Sequence, residues 1–335
     1  MTTYIVRRVL QAVIIMFGLT ILFFVILHAQ PGGPCERYLQ SPSQLAHIHY
    51  QLCVTQNGLD KPLPVQYLSW LSATAHGNLG FDVHDNPVLD SIKGRLPATI
   101  ILIGFAYIIQ ELIGLPIGLI GALKRYTFID QALTVFSYVG LSLPTFWLAL
   151  MLIYIVADTL HLTPPVGITN PVLPIPVFGT PDYWTYLRAN PGQTIGDLFA
   201  HLILPAITLA IIGIGGDSRF MRASMLDVIN QDFVRTARAK GLPPSKVIFK
   251  HALRNALLPI ITNVGIFIPQ LVSGAIITET IFGWPGMGQY YIQSLGQNDT
   301  TALQAVLLLS ALFVLIGNLA ADVLYAVADP RIRYD

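Results

Sequence analysis

Residues 226–259 read LDVINQDFVRTARAKGLPPSKVIFKHALRNALLP, and this stretch predicts a compact helical element. Its first part, residues 227–240, consists mainly of residues that favour or tolerate a helix. We expect Gly241 to end that helix, because glycine adopts a positive φ without a steric penalty. Pro243 and Pro244 then suit the first turn of a second helix. The pattern therefore predicts two helices joined at Gly241, with the second helix continuing into an apolar run.

The sequence on both sides of this element is strongly apolar. The chain of 335 residues is 53% hydrophobic and 11% charged, whereas an average soluble domain has about 25% charged residues. A helix needs roughly 20 apolar residues to cross a bilayer. Six segments meet this requirement: 9–28, 98–123, 130–160, 203–221, 257–282 and 302–328. We therefore expect an all-α polytopic membrane protein with six transmembrane helices, the second of which begins at Leu96 and Pro97.

The basic residues indicate which side of the membrane each loop occupies. Cytoplasmic loops carry an excess of Lys and Arg, and a cytoplasmic N-terminus puts most of the 19 Lys and Arg residues on that side. We therefore expect both termini in the cytoplasm, a large external segment over residues 29–97, and a proline-rich external segment over residues 163–200. Residues 222–255 form the sizeable cytoplasmic loop of this arrangement. The composition contains no basic stripe suited to nucleic acid.

Both cysteines, Cys35 and Cys53, fall in the first external segment. An oxidising compartment permits disulfides, so we favour a bond between these residues, with two buried free thiols as the alternative. The same segment contains His47, His49, His76 and His84. A His-x-His pair without a third ligand at a fixed spacing is weak evidence for zinc, and we predict no metal site.

The cytoplasmic loop combines small side chains with positive charge. Ala237, Ala239 and Gly241 would let another backbone approach closely. Basic residues surround them: Arg235, Arg238, Lys240, Lys246, Lys250 and Arg254. A rigid pair of helices with this chemistry fits a docking surface for a soluble protein. The alternative is an ordinary basic loop that binds lipid headgroups, and the residues alone do not separate the two interpretations.

The same loop matches a known sequence pattern. The coupling-loop signature of ATP-binding-cassette (ABC) importer permeases, E-A-A-x-x-x-G-x(9)-I-x-L-P, is matched at Ala237, Gly241, Leu258 and Pro259. Thr236 replaces the usual Glu, and the stretch after Gly241 is several residues longer. In both respects the chain resembles the dipeptide, oligopeptide and nickel branch of the family, whose version reads like RTARAKG followed by HALRNALLP.

The resemblance covers the whole chain. Further stretches similar to this branch occur in the expected order: YIVRR at 4–8, GLDKP at 58–62, PVQY at 64–67, RLPAT at 95–99, SLPTF at 142–146, TETIFGWPGMG at 278–288 and DPRIRY at 329–334. They resemble the first of the two unlike permeases of such a transporter. The implied organisation is an N-terminus and first helix over residues 1–28, an external segment over 29–97, and a type I importer-like permease core over 98–335 that contains the coupling loop, residues 226–256.

This family resemblance implies several partners. They are a second homologous permease, two cytoplasmic ABC ATPases, an external substrate-binding protein and a peptide cargo, with the chain embedded in the lipid of the cell membrane. The coupling loop would contact an ATPase through Arg235, Thr236, Ala237, Arg238, Ala239, Lys240, Gly241 and Leu242. The chain lacks a G-x-x-x-x-G-K-[ST] phosphate loop, and we interpret Gly213, Gly215 and Gly216 as close helix packing. We therefore expect a non-catalytic subunit without a cofactor of its own, which uses ATP through its partners.

The fifth predicted span contains the candidates for moving parts. Pro259 and Pro269 interrupt a helical hydrogen-bond ladder and are candidate hinges, although proline is also common in membrane helices. Gln270, Ser273 and Glu279 are candidate pathway residues, because a polar side chain in lipid needs a cavity or another helix beside it. Contact with a neighbouring helix is the alternative for each of them. Varied peptides would require a wide and weakly selective channel.

The leading interpretation is the permease subunit of an ATP-driven importer of di- or oligopeptides. A nickel importer of the same branch is the nearest alternative, because selectivity is expected to lie mainly in the binding protein. A self-contained channel or secondary transporter is a further alternative, which inverted repeats would favour, but the two halves show no convincing similarity. An intramembrane enzyme would need an H-E-x-x-H motif or a Ser–His pair within a span, and the sequence contains neither.

Overall fold

The computed structural model of the chain describes residues 2–29, 35, 46–56, 58–258, 260, 267–269, 271 and 274–328. Regular secondary structure in these ranges is helical, apart from an isolated antiparallel bridge between Phe81 and Pro87. The expected all-α architecture is confirmed.

The helices of the described residues follow one another with short connections. Their bounds are α1 Thr2–Ala29, α2 Ala46–Gln56, α3 Leu63–Ala75, α4 Val88–Leu123, α5 Phe128–Ser142, α6 Thr145–Leu152, α7 Pro181–Ala189, α8 Pro191–Ile229, α9 Asp232–Ala239, α10 Pro244–Lys246, α11 Arg254–Ala256, α12 Ile276–Ile281, α13 Met287–Gly296 and α14 Thr300–Ala328. A π-helical segment follows α6 at Ile153–Thr159, and another follows α10 at Val247–Leu253.

Four helices in the described ranges are long and apolar enough to cross a membrane. They are Val6–Ala29 within α1, all of α4, all of α8, and Thr300–Asp322 within α14. These correspond to the first, second, fourth and sixth predicted spans. The predicted start of the second span is wrong, because Pro97 lies inside α4 and the helix begins at Val88 after Pro87. Val88 and Ile92 pack with Met287, so tertiary contacts stabilise an extra length of helix that local sequence does not indicate.

The third predicted span is not a single helix. The two parts, Phe128–Ser142 and Thr145–Thr159, meet at an angle of 99°. The break lies at Leu143 and Pro144, both of which have extended backbone. Proline disfavours helical geometry in the residue before it and lacks an N–H for the helical ladder. Counting this bent pair as one span gives five spans in the described ranges.

Much of the fifth predicted span, residues 257–282, lies outside the described residues. Its external end has a break at Gly274, which has a φ of +78°, and the short helix α12 follows. The structure therefore tests five of the six predicted spans, and the fifth span stays a prediction.

The centre of the fold is the contact between α4 and α8. Gly118 of α4 lies directly against the backbone of Ser218, so any side chain at position 118 would meet that backbone. Across α8, Gly215 faces the carbonyl of Ser137 on α5, and the Ser137 and Ser218 hydroxyls are hydrogen-bonded at 2.7 Å. Small residues at such positions let membrane helices approach closely. The packing interpretation is confirmed for Gly213 and Gly215, but it is wrong for Gly216, where an added side chain would meet no neighbour within 4 Å.

Candidate functional site

The cytoplasmic loop folds as the sequence predicts around Gly241. Helix α9 ends at Ala239, and Gly241 has a φ of +73°. The Gly241 N–H donates to the Arg238 carbonyl at 3.0 Å, and the Leu242 N–H donates to the Ala237 carbonyl at 3.4 Å. These bonds satisfy carbonyls that a helix end leaves without a partner. Pro244 begins the next helix, α10, which confirms the predicted restart.

The inward face of α9 belongs to the protein's own core. Val234 and Ala237 are 0% and 4% exposed and pack with Met221 and Met225 of α8 and Val247 of the π-helical segment. The expectation that Ala237 is open to a partner is therefore wrong. On an amphipathic helix of this length, positions 234 and 237 lie on one face, and that face is turned toward α8.

The outward face of α9 is polar, basic and open. Its exposed side chains belong to Asp232, Phe233, Arg235, Thr236, Arg238 and Ala239, and the surface continues through Lys240 and Gly241 to the half-buried Leu242. Phe233 is 42% exposed and places an apolar ring beside the cations. Arg235 pairs with Asp232 at 3.8 Å, but both side chains are largely exposed, so this pair contributes little stability. We call this face, residues 232–242, the coupling surface.

The coupling surface is attached firmly to the long helix α8. The Ser224 hydroxyl of α8 donates to the Ala256 carbonyl of α11 at 2.7 Å. Leu242, Ile248 and Leu253 complete the shared hydrophobic cluster. A load applied to α9 is therefore passed to α8 through packed side chains rather than through a loose linker.

A partly buried ion pair joins α8 to the first turn of α5. Arg222 donates from Nε to Asp130 Oδ1 at 2.7 Å and from Nη2 to Asp130 Oδ2 at 2.8 Å. Asp130 Oδ2 also accepts the Tyr126 N–H at 2.9 Å. Gly121 of α4 leaves the space that the Arg222 side chain crosses. The ion pair thereby joins α5 to α8, and both of its side chains lie against α4 at Gly121.

We expect this pair to be measurable in a double-mutant cycle. Arg222→Gln or Asp130→Asn alone should lower the unfolding free energy by about 1–3 kcal/mol. Loss of Arg222 leaves the buried Asp130 carboxylate unpaired, and loss of Asp130 costs less because Arg222 is still 30% exposed. The double variant should lose less than the sum of the two. Thermal unfolding of the purified protein measures all three. Asp232→Asn with Arg235→Gln, an exposed pair, is the matched control and should show no coupling; additive losses at 130 and 222 would contradict the inference.

The structure tests only part of the predicted hinge and pathway set. Pro259, Gln270 and Ser273 lie outside the described residues, and their roles stay predictions. Pro269 lies in the described stretch 267–269, and its role as a hinge also stays a prediction. Ser137, a polar residue of the third predicted span, bonds to Ser218 on a neighbouring helix and not to a pathway.

Glu279 is enclosed rather than open to a pathway. Its side chain is 0% exposed. Oε1 accepts the Thr99 hydroxyl at 2.9 Å and the Ala275 N–H at 3.2 Å, and Oε2 accepts the Gln289 N–H at 3.0 Å. The Thr99 oxygen in turn accepts the Met287 N–H at 2.7 Å. Glu279 therefore fastens the turn between α12 and α13 to α4, and the interpretation of Glu279 as a pathway residue is wrong for this conformation.

The nearby helix α13 contributes Tyr290, and this tyrosine is uncharged. Burial raises the pKa of Tyr290 to about 12, so this phenol stays neutral at physiological pH. The Arg95 guanidinium lies 4.9 Å from the centre of the Tyr290 ring, a geometry that favours a cation–π contact.

A hydrogen bond between α4 and α8 is among the polar contacts that the sequence did not predict. The Gln110 side chain of α4 donates a hydrogen bond to the Asp217 carboxylate of α8. The signal was present, because Glu111 and Asp217 are charged residues inside apolar spans and such residues need partners. Which side chain of α4 meets Asp217 of α8 depends on how each helix is rotated about its axis, and the sequence pattern does not specify that rotation. In the external segment, Cys35 and Cys53 form a disulfide with a Cα–Cα distance of 5.7 Å.

Comparison with known proteins places the whole chain in one group. The family model described as binding-protein-dependent transport system inner membrane component matches residues 114–334, and the model of the N-terminal part of such membrane components matches residues 1–103. Together they account for the spans, the coupling surface and the external segment.

Individual relatives match from end to end. The oligopeptide transport system permease protein AppB of Bacillus subtilis (strain 168) is 39% identical over 336 residues, which cover 100% of both chains. The dipeptide transport system permease protein DppB of Escherichia coli (strain K12) is 38% identical over 339 residues, 100% of this chain and 99% of the relative. The di/tripeptide transport system permease protein DppB of Pseudomonas aeruginosa (strain UCBPP-PA14) is 38% identical over 336 residues, with the same coverage.

These matches confirm the family resemblance and the interpretation as a non-catalytic membrane component. The chain belongs to the family of binding-protein-dependent transport system inner membrane components, and it is a multi-pass permease subunit of the ABC transporter class.

Proposed function

We propose that this chain is the permease subunit of an ATP-driven importer of di- and oligopeptides, and that it docks on a cytoplasmic ATPase through residues 232–242. The observation that carries the docking role is the two-sided structure of α9. Its basic outer face is exposed, while Val234 and Ala237 on its inner face are part of the core. The full-length likeness to proteins named as peptide permeases supports the cargo.

The geometry supplies a route for mechanical coupling. When the ATPase moves α9, the shared cluster with Met221 and Met225 obliges the cytoplasmic end of α8 to follow. The Arg222–Asp130 ion pair extends that movement to α5. The tight contact between α4 and α8 then carries it toward the centre of the membrane.

The remaining features of the proposal follow the family arrangement. The chain forms half of the translocation pathway with a second homologous permease, above two ABC ATPases and below an external binding protein. Both termini lie in the cytoplasm, which puts the basic coupling surface on the side where ATP is available. Pro259 and Pro269 are proposed as hinges of the fifth span, and Gln270 and Ser273 as residues of the pathway.

Co-purification from the native membrane tests the proposal. With a tag at Asp335 and a gentle detergent, we expect a second permease of similar size and ATPases with Walker motifs to accompany the chain. Phe233→Ser should release the ATPases, whereas Phe128→Ser, an exposed phenylalanine at the start of α5, should not. Recovery of the chain alone, or only with itself, would contradict the importer and favour a self-contained channel. A comparison of the uptake of labelled dipeptide with the uptake of nickel ion then decides between the two cargoes.

A further inference from the structure

Helix α3 in the external segment has an unusual composition for a helix in water. Its thirteen residues, LPVQYLSWLSATA, include no charged side chain, and none of them is buried in the protein. Leu63, Val65 and Leu68 are 58%, 45% and 62% exposed. An apolar surface of this kind needs a covering. What covers it follows from the depth at which α3 meets α1.

An ion pair marks the cytoplasmic end of α1. Arg8 pairs with Asp322 of α14 at 3.2 Å, and charged side chains of spans lie near the membrane surface. Thr20 follows Arg8 by twelve residues, which is about 18 Å along a helix. Since the hydrocarbon core is about 30 Å thick, Thr20 lies inside its outer half.

Helix α3 contacts α1 at this depth. The Tyr67 hydroxyl lies 2.8 Å from the Thr20 hydroxyl. The Tyr67 ring is centred 5.4 Å from Phe24, and Trp70 is centred 5.9 Å from Phe24. Thr20 and Phe24 are among the few buried residues of α1, and these rings contribute their covering. At Tyr67, the backbone of α3 therefore lies no farther from Thr20 than the reach of a tyrosine side chain. This distance keeps it on the membrane side of the outer membrane–water boundary.

We propose that α3 is an interfacial helix embedded in the outer leaflet, with Leu63, Val65 and Leu68 in contact with lipid acyl chains. An interfacial helix lies about 5–10 Å below the boundary of headgroups and acyl chains, in agreement with the depth set by Tyr67. Tyr67 and Trp70 have the aromatic side chains typical of that layer. Lys61, just before the helix, can reach the headgroups with its long side chain.

This assignment changes the interpretation of the external segment. Residues 63–75 are a membrane anchor that holds the segment to the first span, and are not part of a water-exposed cap. The proposal requires that α1 crosses the membrane, and it does not depend on which cargo the transporter carries.

Spin-label accessibility tests the proposal on the complete transporter in liposomes. Leu68→Cys and, separately, Val65→Cys are labelled with a nitroxide; Cys35 and Cys53 are already bonded to each other. Ile14→Cys, exposed in the middle of α1, is the lipid control. His84→Cys, in an exposed external turn, is the water control.

We expect the labels at 65 and 68 to resemble the label at 14, with ready collision with oxygen and about tenfold less collision with a water-soluble nickel chelate than at 84. Chelate access equal to that at 84 would overturn the proposal in favour of water. Low access to both reagents would overturn it in favour of a protein partner. The readout needs no transport activity, so it fails or succeeds independently of the proposed function.

Discussion

Gly241→Pro is expected to leave the protein in the membrane and to lower peptide uptake by at least about tenfold, because proline fixes φ near −65° and lacks an N–H. Gly241 has a φ of +73° and donates its N–H to the Arg238 carbonyl. Both features are lost in the variant, so the end of α9 and the surface around Lys240 and Leu242 must rearrange. The spans are untouched, and insertion should be normal. Uptake by whole cells, with the amount of protein in the membrane as reference, measures the effect.

A matched glycine separates coupling from general damage. Gly77 ends α3 on the other side of the membrane with a φ of +82°, and its N–H donates to the Thr74 carbonyl at 2.9 Å. Gly77→Pro thus removes the same local features and should retain most of the uptake. Gly241→Ala keeps the N–H, and its side chain meets no neighbour within 4 Å, so it should give an intermediate result. Normal uptake by Gly241→Pro would refute the coupling role of this loop.

Glu279→Leu is expected to cause the largest loss of stability, about 3–6 kcal/mol. The variant leaves the buried Thr99 hydroxyl and the partly buried N–H groups of Ala275 and Gln289 without their acceptor. A fully buried group of this kind costs about 1–3 kcal/mol, and a partly buried one lies at the low end of that range. The turn that carries Trp284 and Met287 would then be held to α4 mainly by packing and by the Trp284 indole N–H, which donates to the Ala98 carbonyl at 2.8 Å. Thermal unfolding of the purified protein, or its abundance in the membrane, measures the loss.

Two further substitutions make this result interpretable. Glu279→Gln keeps the shape and one acceptor oxygen, so it should fall between the wild type and the leucine variant. Thr280→Val, in an exposed position on the same helix, removes only a hydroxyl bonded within α12 and should be nearly neutral. A stable and active Glu279→Leu protein would mean that the carboxylate does not fasten the turn.

The sequence predicted correctly those parts of the fold in which the φ preference of a single residue determines the backbone conformation. The stop at Gly241 and the restart at Pro244 depend on φ preferences of single residues, and both were found. The break before Pro144 depends on the same rules, yet the apolar run continues through it, and a criterion of length and composition merged the two helices. The extra turns of α4 before Pro97 depend on packing against α13, which lies far away in the sequence.

The direction in which a side chain points was harder to predict from the sequence than the position of a helix. Ala237 and Ala239 are both small, but only the three-dimensional placement of α8 decides that the former is buried and the latter exposed. Glu279 is an acidic residue in an apolar stretch, and the sequence indicated that it needs partners. Its donors come from Thr99, which is 180 positions away, and from backbone groups, which no residue pattern identifies.

The cluster beneath the coupling surface also has a consequence for biosynthesis. Its members come from residues 115–122 of α4 and from residues 221–260, so all of them have been synthesised once the ribosome has passed residue 260. Domains generally fold in the order of their synthesis, and contacts between residues that are close in sequence form fastest. Every member of the cluster therefore precedes α14 in the chain, and a chain that ends before α14 is expected to form the same cluster.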